Sequence, residues 1–199
     1  MKPKEGRIKE LLRERGLDGA IVSSPENFHY VTGFGGHQHT VSRQPGFTLA
    51  VMRSDDKAPT HITTMDFEAA TFRIKSAGLG FVVDPYDTWV GLKTWPEISQ
   101  GAVLPDKTRM ESSADKLEQF VKACDLADKR IGVEMDYLTV PYYNMICEKF
   151  PEAQLVDISD LFVYARSIKT EEEIKMFREL CRIADHGFTQ VSRMAGIGV

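Results

Sequence analysis

Ala20-Ile21-Val22-Ser23-Ser24-Pro25-Glu26-Asn27-Phe28-His29-Tyr30-Val31-Thr32-Gly33 is the run from which the architecture is read. Three apolar residues, two of them β-branched, make a short strand. Ser24 then has the chemistry of an N-cap, and Pro25 fits the first helical position, where no N–H is needed. A short helix follows from Glu26 to Val31 and is ended by Thr32-Gly33. The run is therefore a strand feeding directly into a helix. Working outward, residues Lys4 to Arg15 predict a helix with Ile8, Leu11 and Leu12 on its apolar face and Gly16 as its stop. The same logic returns later in the chain. Arg130-Ile131-Gly132-Val133-Glu134 predicts a strand, Thr139-Val140-Pro141 opens a helix through Lys149, and Gln154-Leu155-Val156-Asp157 predicts another strand.

Between these units lies a pair that alternates differently. Phe47 to Met52 is almost wholly apolar, as expected of a strand covered on both faces. Ser54-Asp55-Asp56-Lys57 is a turn, and His61-Ile62-Thr63-Thr64 is the partner strand of a hairpin. Asp66 is expected to cap a helix through Ser76, with Phe67, Ala70, Phe72 and Ile74 offering apolar faces and Gly78 stopping it. Phe81-Val82-Val83 predicts a strand. Residues 84–105 read as irregular, with Trp89 and Trp95. With Tyr86 these form either an interface patch or pins holding the segment to the sheet. A helix from Ser113 to Leu126 would turn Leu117, Phe120, Val121 and Cys124 inward, and a short helix spans Ile158 to Tyr164. Strands alternating with helices around one inserted hairpin give an α/β fold, a mixed β-sheet flanked by helices.

The last helix is the best specified. Thr170 and Glu173 have capping-box spacing, and Glu171, Glu172 and Glu173 suit the positive end of the helix dipole. Ile174, Phe177, Cys181, Ala184, Phe188 and Val191 then form one helical stripe. So long an amphipathic helix needs something to pack on.

Bulk properties narrow the function classes. With 199 residues the chain can bury about 70% of the surface it exposes when unfolded, enough for a core without disulfide or metal. A net charge of −4 argues against a nucleic-acid partner, which would need a basic face. No apolar run approaches the about 20 residues of a membrane span. The three widely spaced cysteines, Cys124, Cys147 and Cys181, are expected as buried reduced thiols, which implies a cytoplasmic setting. The charged N-terminal segment is not expected to be a signal peptide.

Chemistry-bearing residues are sparse. His37 and His39 share a segment flanked by Gly35 and Gly36, expected as a flexible loop from Phe34 to Arg43 and on to Pro45-Gly46. The pair invites a metal-site reading, a substrate- or partner-facing reading, or an ordinary exposed loop. The metal reading lacks acids and cysteines within the loop. No Gly-x-Ser-x-Gly elbow and no phosphate-cradling glycine motif occurs. His29 is expected to pack or cap, His61 to sit in a strand, and His186 to lie at the edge of the terminal stripe. The Glu171-Glu172-Glu173 run is a cap and a solvated face. By themselves these residues give no reaction.

Four stretches, in order, resemble a known family: the opening helix into Gly16-Leu17-Asp18-Gly19-Ala20-Ile21-Val22; Ser24-Pro25-Glu26-Asn27-Phe28-His29-Tyr30-Val31-Thr32-Gly33-Phe34; Ile131-Gly132-Val133-Glu134 with Gln154-Leu155-Val156-Asp157; and Ala165-Arg166-Ser167-Ile168-Lys169-Thr170-Glu171-Glu172-Glu173-Ile174. The chain resembles the N-terminal domain of the creatinase/prolidase group of pita-bread metallohydrolases, which includes Xaa-Pro dipeptidases and aminopeptidases. The resemblance implies such a domain over residues 1–165 and, over 166–199, a connector helix leading to a catalytic domain absent from this chain. In the family two divalent metal ions (Mn, Co or Zn) are held by two Asp, one His and two Glu of that second domain. No catalytic or metal residue can then be assigned here, and the chain alone is expected to be inactive. The N-terminal domain contributes dimerisation and one wall of the active site. Arg43, with His37 and His39, would be the substrate-binding residues, Arg43 first because a guanidinium suits a carboxylate. The implied partners are the chain's own C-terminal catalytic domain, a second copy in a homodimer, and a proline-containing peptide substrate. The rival readings are the same domain of a creatinase-type amidinohydrolase or lyase, and a non-enzymatic peptide-binding module of this fold, as in histone chaperones.

Overall fold

The computed structural model describes residues 3–88, 95–99 and 111–196. The chain divides into two compact units, Met1–Phe162 and Val163–Val199. Within the first, α1 (Glu5–Glu14) leads into β1 (Gly19–Val22), and α2 (Pro25–Thr32) follows at once. Ser24 caps α2, its side chain accepting from the Asn27 N–H, with Pro25 in the first turn. Gly33 closes the helix in the left-handed region at φ 82°, its N–H donating to the His29 carbonyl. A third helix, α3 (His37–Ser42), comes before β2 (Leu49–Arg53) and β3 (His61–Thr63). Then come α4 (Asp66–Ser76), β4 (Val82–Val83), α5 (Trp95–Ser99), α6 (Ser113–Ala123), β5 (Arg130–Val133), α7 (Val140–Lys149), β6 (Gln154–Asp157) and α8 (Ser159–Ser167).

The six strands form one mixed sheet in the order β4-β3-β2-β1-β5-β6. β1 is central. It runs antiparallel to β2, with Ala20 opposite Met52, and parallel to β5, with Ala20 opposite Gly132. The hairpin β2–β3 is antiparallel, while β3–β4 and β5–β6 are parallel. Side chains alternate across a strand, so Ile21, Leu49 and Val51 share one face. There they join Leu117, Phe120 and Val121 of α6 and Ile146 of α7 in a single core. Ile8, Leu12, Phe28, Val31 and Phe72, from α1, α2 and α4, are fully buried outside that cluster. Helices on both faces explain why β1 and β2 read as continuous apolar runs.

One buried charge ties the two parallel βα units together. Glu134, one residue past β5, is 1% exposed. Its carboxylate accepts from the Ser23 and Ser24 backbone N–H groups, from the Ser24 hydroxyl at 2.5 Å and from the Asn27 side-chain amide at 2.6 Å. A buried carboxylate is tolerated when its lone pairs are filled in this way.

Several expectations are corrected. The segment expected as a loop through Arg43 contains α3, and Met65 rather than Asp66 occupies the N-cap of α4. α4 buries Glu68, Ala69 and Phe72, whereas Phe67 and Ile74 lie on its exposed side, Ile74 at 77%. Helical periodicity cannot separate two apolar stripes on one helix, and the sheet takes only one. Trp89 lies outside the described residues. Trp95 is exposed, and Tyr86 is buried with its hydroxyl donating to the Phe47 carbonyl. Of the cysteines only Cys124 is buried, and Cys181 is exposed.

In the second unit, α9 (Glu171–Met194) begins with the predicted capping box. The Thr170 N–H donates to Glu173 at 2.7 Å, and the Glu173 N–H donates to the Thr170 hydroxyl at 3.3 Å. Phe177, Leu180, Ile183, Phe188, Val191 and Met194 are exposed. No helix among the described residues is long and apolar enough to cross a membrane.

Glu134→Ala would remove the shared acceptor of five buried donors at once, the Ser23 hydroxyl among them. It is expected to cost about 3–5 kcal/mol in chemical denaturation, because several buried donors lose their acceptor at about 1–3 kcal/mol each. A loss below about 1 kcal/mol would show that the clamp contributes little.

Candidate functional site

The C-terminal end of β1 and the helices beyond it gather the residues that the sequence singled out. α3 has only six residues and begins at Gly36, which has no side chain to cap it. The cap comes from another element. The Glu68 carboxylate, in the first turn of α4, accepts from the Gln38 N–H at 3.0 Å and from the Thr64 hydroxyl at 3.4 Å. A Cβ at position 36 would stand 2.5 Å from Glu68 Oε2 and 3.0 Å from the Phe72 ring. Glycine is what lets the α3 start and the acid meet.

His37, His39 and Arg43 lie on or just after α3 and meet three different surroundings. His37 is exposed. With His29, Gly33, Gly35, Thr40 and Lys75 it lines an open concavity of about 700 Å³. Burial lowers the pKa of His29, and the nearby Lys75 charge lowers it further. Lys75 also donates to the Gly35 carbonyl at 3.3 Å. Below them, Phe28, Phe34 and Phe72 pack edge to face or tilted, with centroids 5.4–6.2 Å apart.

His39 is 1% exposed. Its Nε2 lies 2.8 Å from the Ser23 carbonyl oxygen. A carbonyl only accepts, so Nε2 carries the proton and Nδ1 is the bare nitrogen of the neutral ring. The imidazole and the Phe28 ring meet nearly at right angles, with centroids 5.4 Å apart and an interplanar angle of 82°. Burial pushes its pKa below the ordinary histidine value, against the opposing pull of the Ser23 carbonyl, Glu68 and Glu26.

Arg43 ends α3 in the left-handed region at φ 49°, a conformation that costs a non-glycine residue about 1 kcal/mol. Its guanidinium forks onto Glu26 of α2, with bonds of 2.5 and 3.2 Å, and is half exposed. The Tyr137 phenol is within electrostatic reach of Arg43, Glu26 and Glu134, and burial pushes its pKa up to about 12. Among the described residues no group of three or more His, Cys, Asp or Glu side chains is placed to hold a metal ion. The metal chemistry implied by the resemblance has no ligand set among them.

The sequence named His37, His39 and Arg43 but missed the acids that place them. Glu26, Glu68 and Glu134 looked like ordinary carboxylates. The legible signal was Glu134 closing an apolar strand run, where an acid is buried only if donors meet it.

A mixed sheet with β1 at its centre and a short, acid-capped helix beside the β1–α2 turn define an α/β domain whose histidines and Lys75 border an open concavity above buried aromatics. The model of the creatinase/prolidase N-terminal domain matches residues 6–168, and the chain belongs to that family. It is 27% identical over 186 residues to an uncharacterized peptidase of Bacillus subtilis, covering 93% of this chain and 41% of that protein. It is 24% identical over 183 residues to an Xaa-Pro dipeptidase of Lactobacillus delbrueckii subsp. lactis, covering 92% of this chain and 42% of that protein. The chain thus spans well under half the length of these curated relatives. Among solved structures, an Xaa-Pro dipeptidase from Bacillus anthracis has the same fold, with a TM-score of 0.66 at 19% identity, covering 95% of this chain and 42% of that one.

Gly36→Ala is expected to separate Glu68 from the α3 start at a cost of about 1–3 kcal/mol, the usual range for overpacking. Helix loss at 37–42 would appear as changed backbone chemical shifts. Unchanged stability and shifts would show that Glu68 does not need the gap.

Proposed function

We propose that this chain is the non-catalytic N-terminal domain of a dinuclear-metal Xaa-Pro peptidase, serving in dimerisation and as one wall of the substrate site. The family match over residues 6–168, in a chain spanning 41–42% of relatives that include an Xaa-Pro dipeptidase, carries the reading. The remainder of such an enzyme would supply the two metal ions, Mn, Co or Zn, and with them a water activated for attack on the peptide carbonyl. In this reading residues 1–165 form the accessory domain and 166–199 the connector. The exposed apolar stripe of α9 then packs on the catalytic domain, and the whole enzyme works in the cytoplasm.

The wall is α3 and its C-cap. Arg43 carries the charge that a peptide carboxylate needs. Glu26 holds it meanwhile in the forked geometry such a carboxylate would use. His37 lies on the open concavity with Lys75 and supplies a second polar contact. His39 supports the wall from below.

Two measurements test this. The 199-residue chain supplied with manganese is expected to show no Xaa-Pro hydrolysis, and measurable turnover would overturn the accessory-domain reading. In an enzyme that also carries the catalytic domain, Arg43→Ala is expected to lower kcat/KM about tenfold or more, the size of one lost charged hydrogen bond. Unchanged kinetics would remove Arg43 from the site.

A further inference from the structure

α3 is too short to persist unaided, since helices below about 12 residues are marginal in water. Three contacts hold it. Glu68 caps its start, the Arg43–Glu26 fork pins its end, and His39 anchors its middle to the Ser23 carbonyl. The first two are at least partly solvent-accessible, whereas the His39 bond is buried. Ser23 is itself held by Glu134 through its N–H, so His39 docks on a carbonyl that has little freedom to move.

His39 Nδ1 is buried and has no hydrogen-bond partner among the described residues. A bare aromatic nitrogen tolerates this, because an unprotonated acceptor carries no charge. A protonated Nδ1 would be a buried cationic N–H with no acceptor among the described residues, a costly arrangement. The charged groups facing His39 are Glu68 on α4, Glu26 on α2 and Arg43 on α3. Both carboxylates favour the cation, but each is engaged elsewhere, Glu68 by the Gln38 N–H and Glu26 by Arg43. Arg43 opposes it.

We infer that His39 is a positioning residue that locks α3, and with it Arg43 and His37, onto the β1–α2 turn, and that only its neutral Nε2–H form can do so. That Arg43 and His37 face substrate rests on the function proposed above. The locking of α3 does not. The sign follows from linkage. The docked state binds the proton less readily than the undocked one, whose histidine titrates near the ordinary value of about 6.5. Docking is therefore fully favoured above that pH and weakens as pH falls below it.

The test uses the 199-residue chain without substrate. Imidazole ¹⁵N spectra report the His39 tautomer and titration. Amide hydrogen exchange reports α3 through the Thr40 and Arg43 N–H groups, which donate to the Gly36 and His39 carbonyls. His39 is expected as the Nε2–H tautomer with a depressed titration. The protection factors of the two amides, corrected for intrinsic exchange, should fall about tenfold per pH unit below about 6.5, until His39 itself titrates. His39→Gln keeps a side-chain N–H donor without a titrating ring, so it should retain protection and lose the pH dependence. His39→Leu should be unprotected at every pH. If the leucine variant fails to fold, the glutamine variant and the tautomer still decide. An Nδ1–H tautomer, protection unchanged through the titration of His39, or a glutamine variant that follows the wild-type pH profile would overturn the inference. Because protection is read without substrate, a failed Arg43 kinetic test leaves this result intact.

Discussion

The carboxylate of Glu134 is the constraint on which the rest leans. It lies past the end of β5 and fills itself with donors from the β1–α2 turn, more than a hundred residues earlier in the chain. Each donor would lose its carboxylate acceptor without it, and the charge would be untenable without them. The interaction fixes where β1 stops, how α2 starts and where the Ser23 carbonyl stands. His39, α3 and the arginine that ends it are all placed from that carbonyl. A surface ion pair could not set so much, because water competes for both partners. Here the turn and the acid exclude water from each other.

Carboxylates recur in this role. Glu68 caps a helix to which it does not belong, and Glu26 holds the guanidinium that closes the same helix. Glu173 caps its own helix through a reciprocal pair with Thr170. Only the last is local. A chain with net charge −4 uses part of its acidic excess as fixed acceptors for backbone and side-chain donors rather than as solvated surface.

This contrast explains what the sequence could disclose. The β1–α2 unit, the β2–β3 hairpin, the β5 and β6 strands and the α9 cap are written in neighbouring residues, as periodicity, cap spacing, Pro at the helix start and Gly at its end. Those elements were legible. The α3 segment was not. Gly35-Gly36 before two histidines carries every local mark of a loop, and the acid that makes it a helix stands 30 positions downstream. The burial of His39 was hidden for the same reason. Its partners, the Ser23 carbonyl and the Phe28 ring, are set by tertiary packing. On α4 the failure was different. Phe67, Phe72 and Ile74 are equally apolar on paper, and only the sheet decides which one goes inside.

The placing of β1 between β2 and β5 has a consequence for how the molecule comes together. β1 and the β2–β3 hairpin are close in sequence and can associate early. The β1–β5 pairing must wait for a loop of about a hundred residues to close, and such non-local contacts are slow to form. The Glu134 clamp forms only with that closure. Ser23 and Ser24 therefore become rigid late on the folding route, and α3, which docks on Ser23, later still. A nascent chain that has not yet emitted β5 would carry the whole of α2 and α3 in sequence without the support that shapes them.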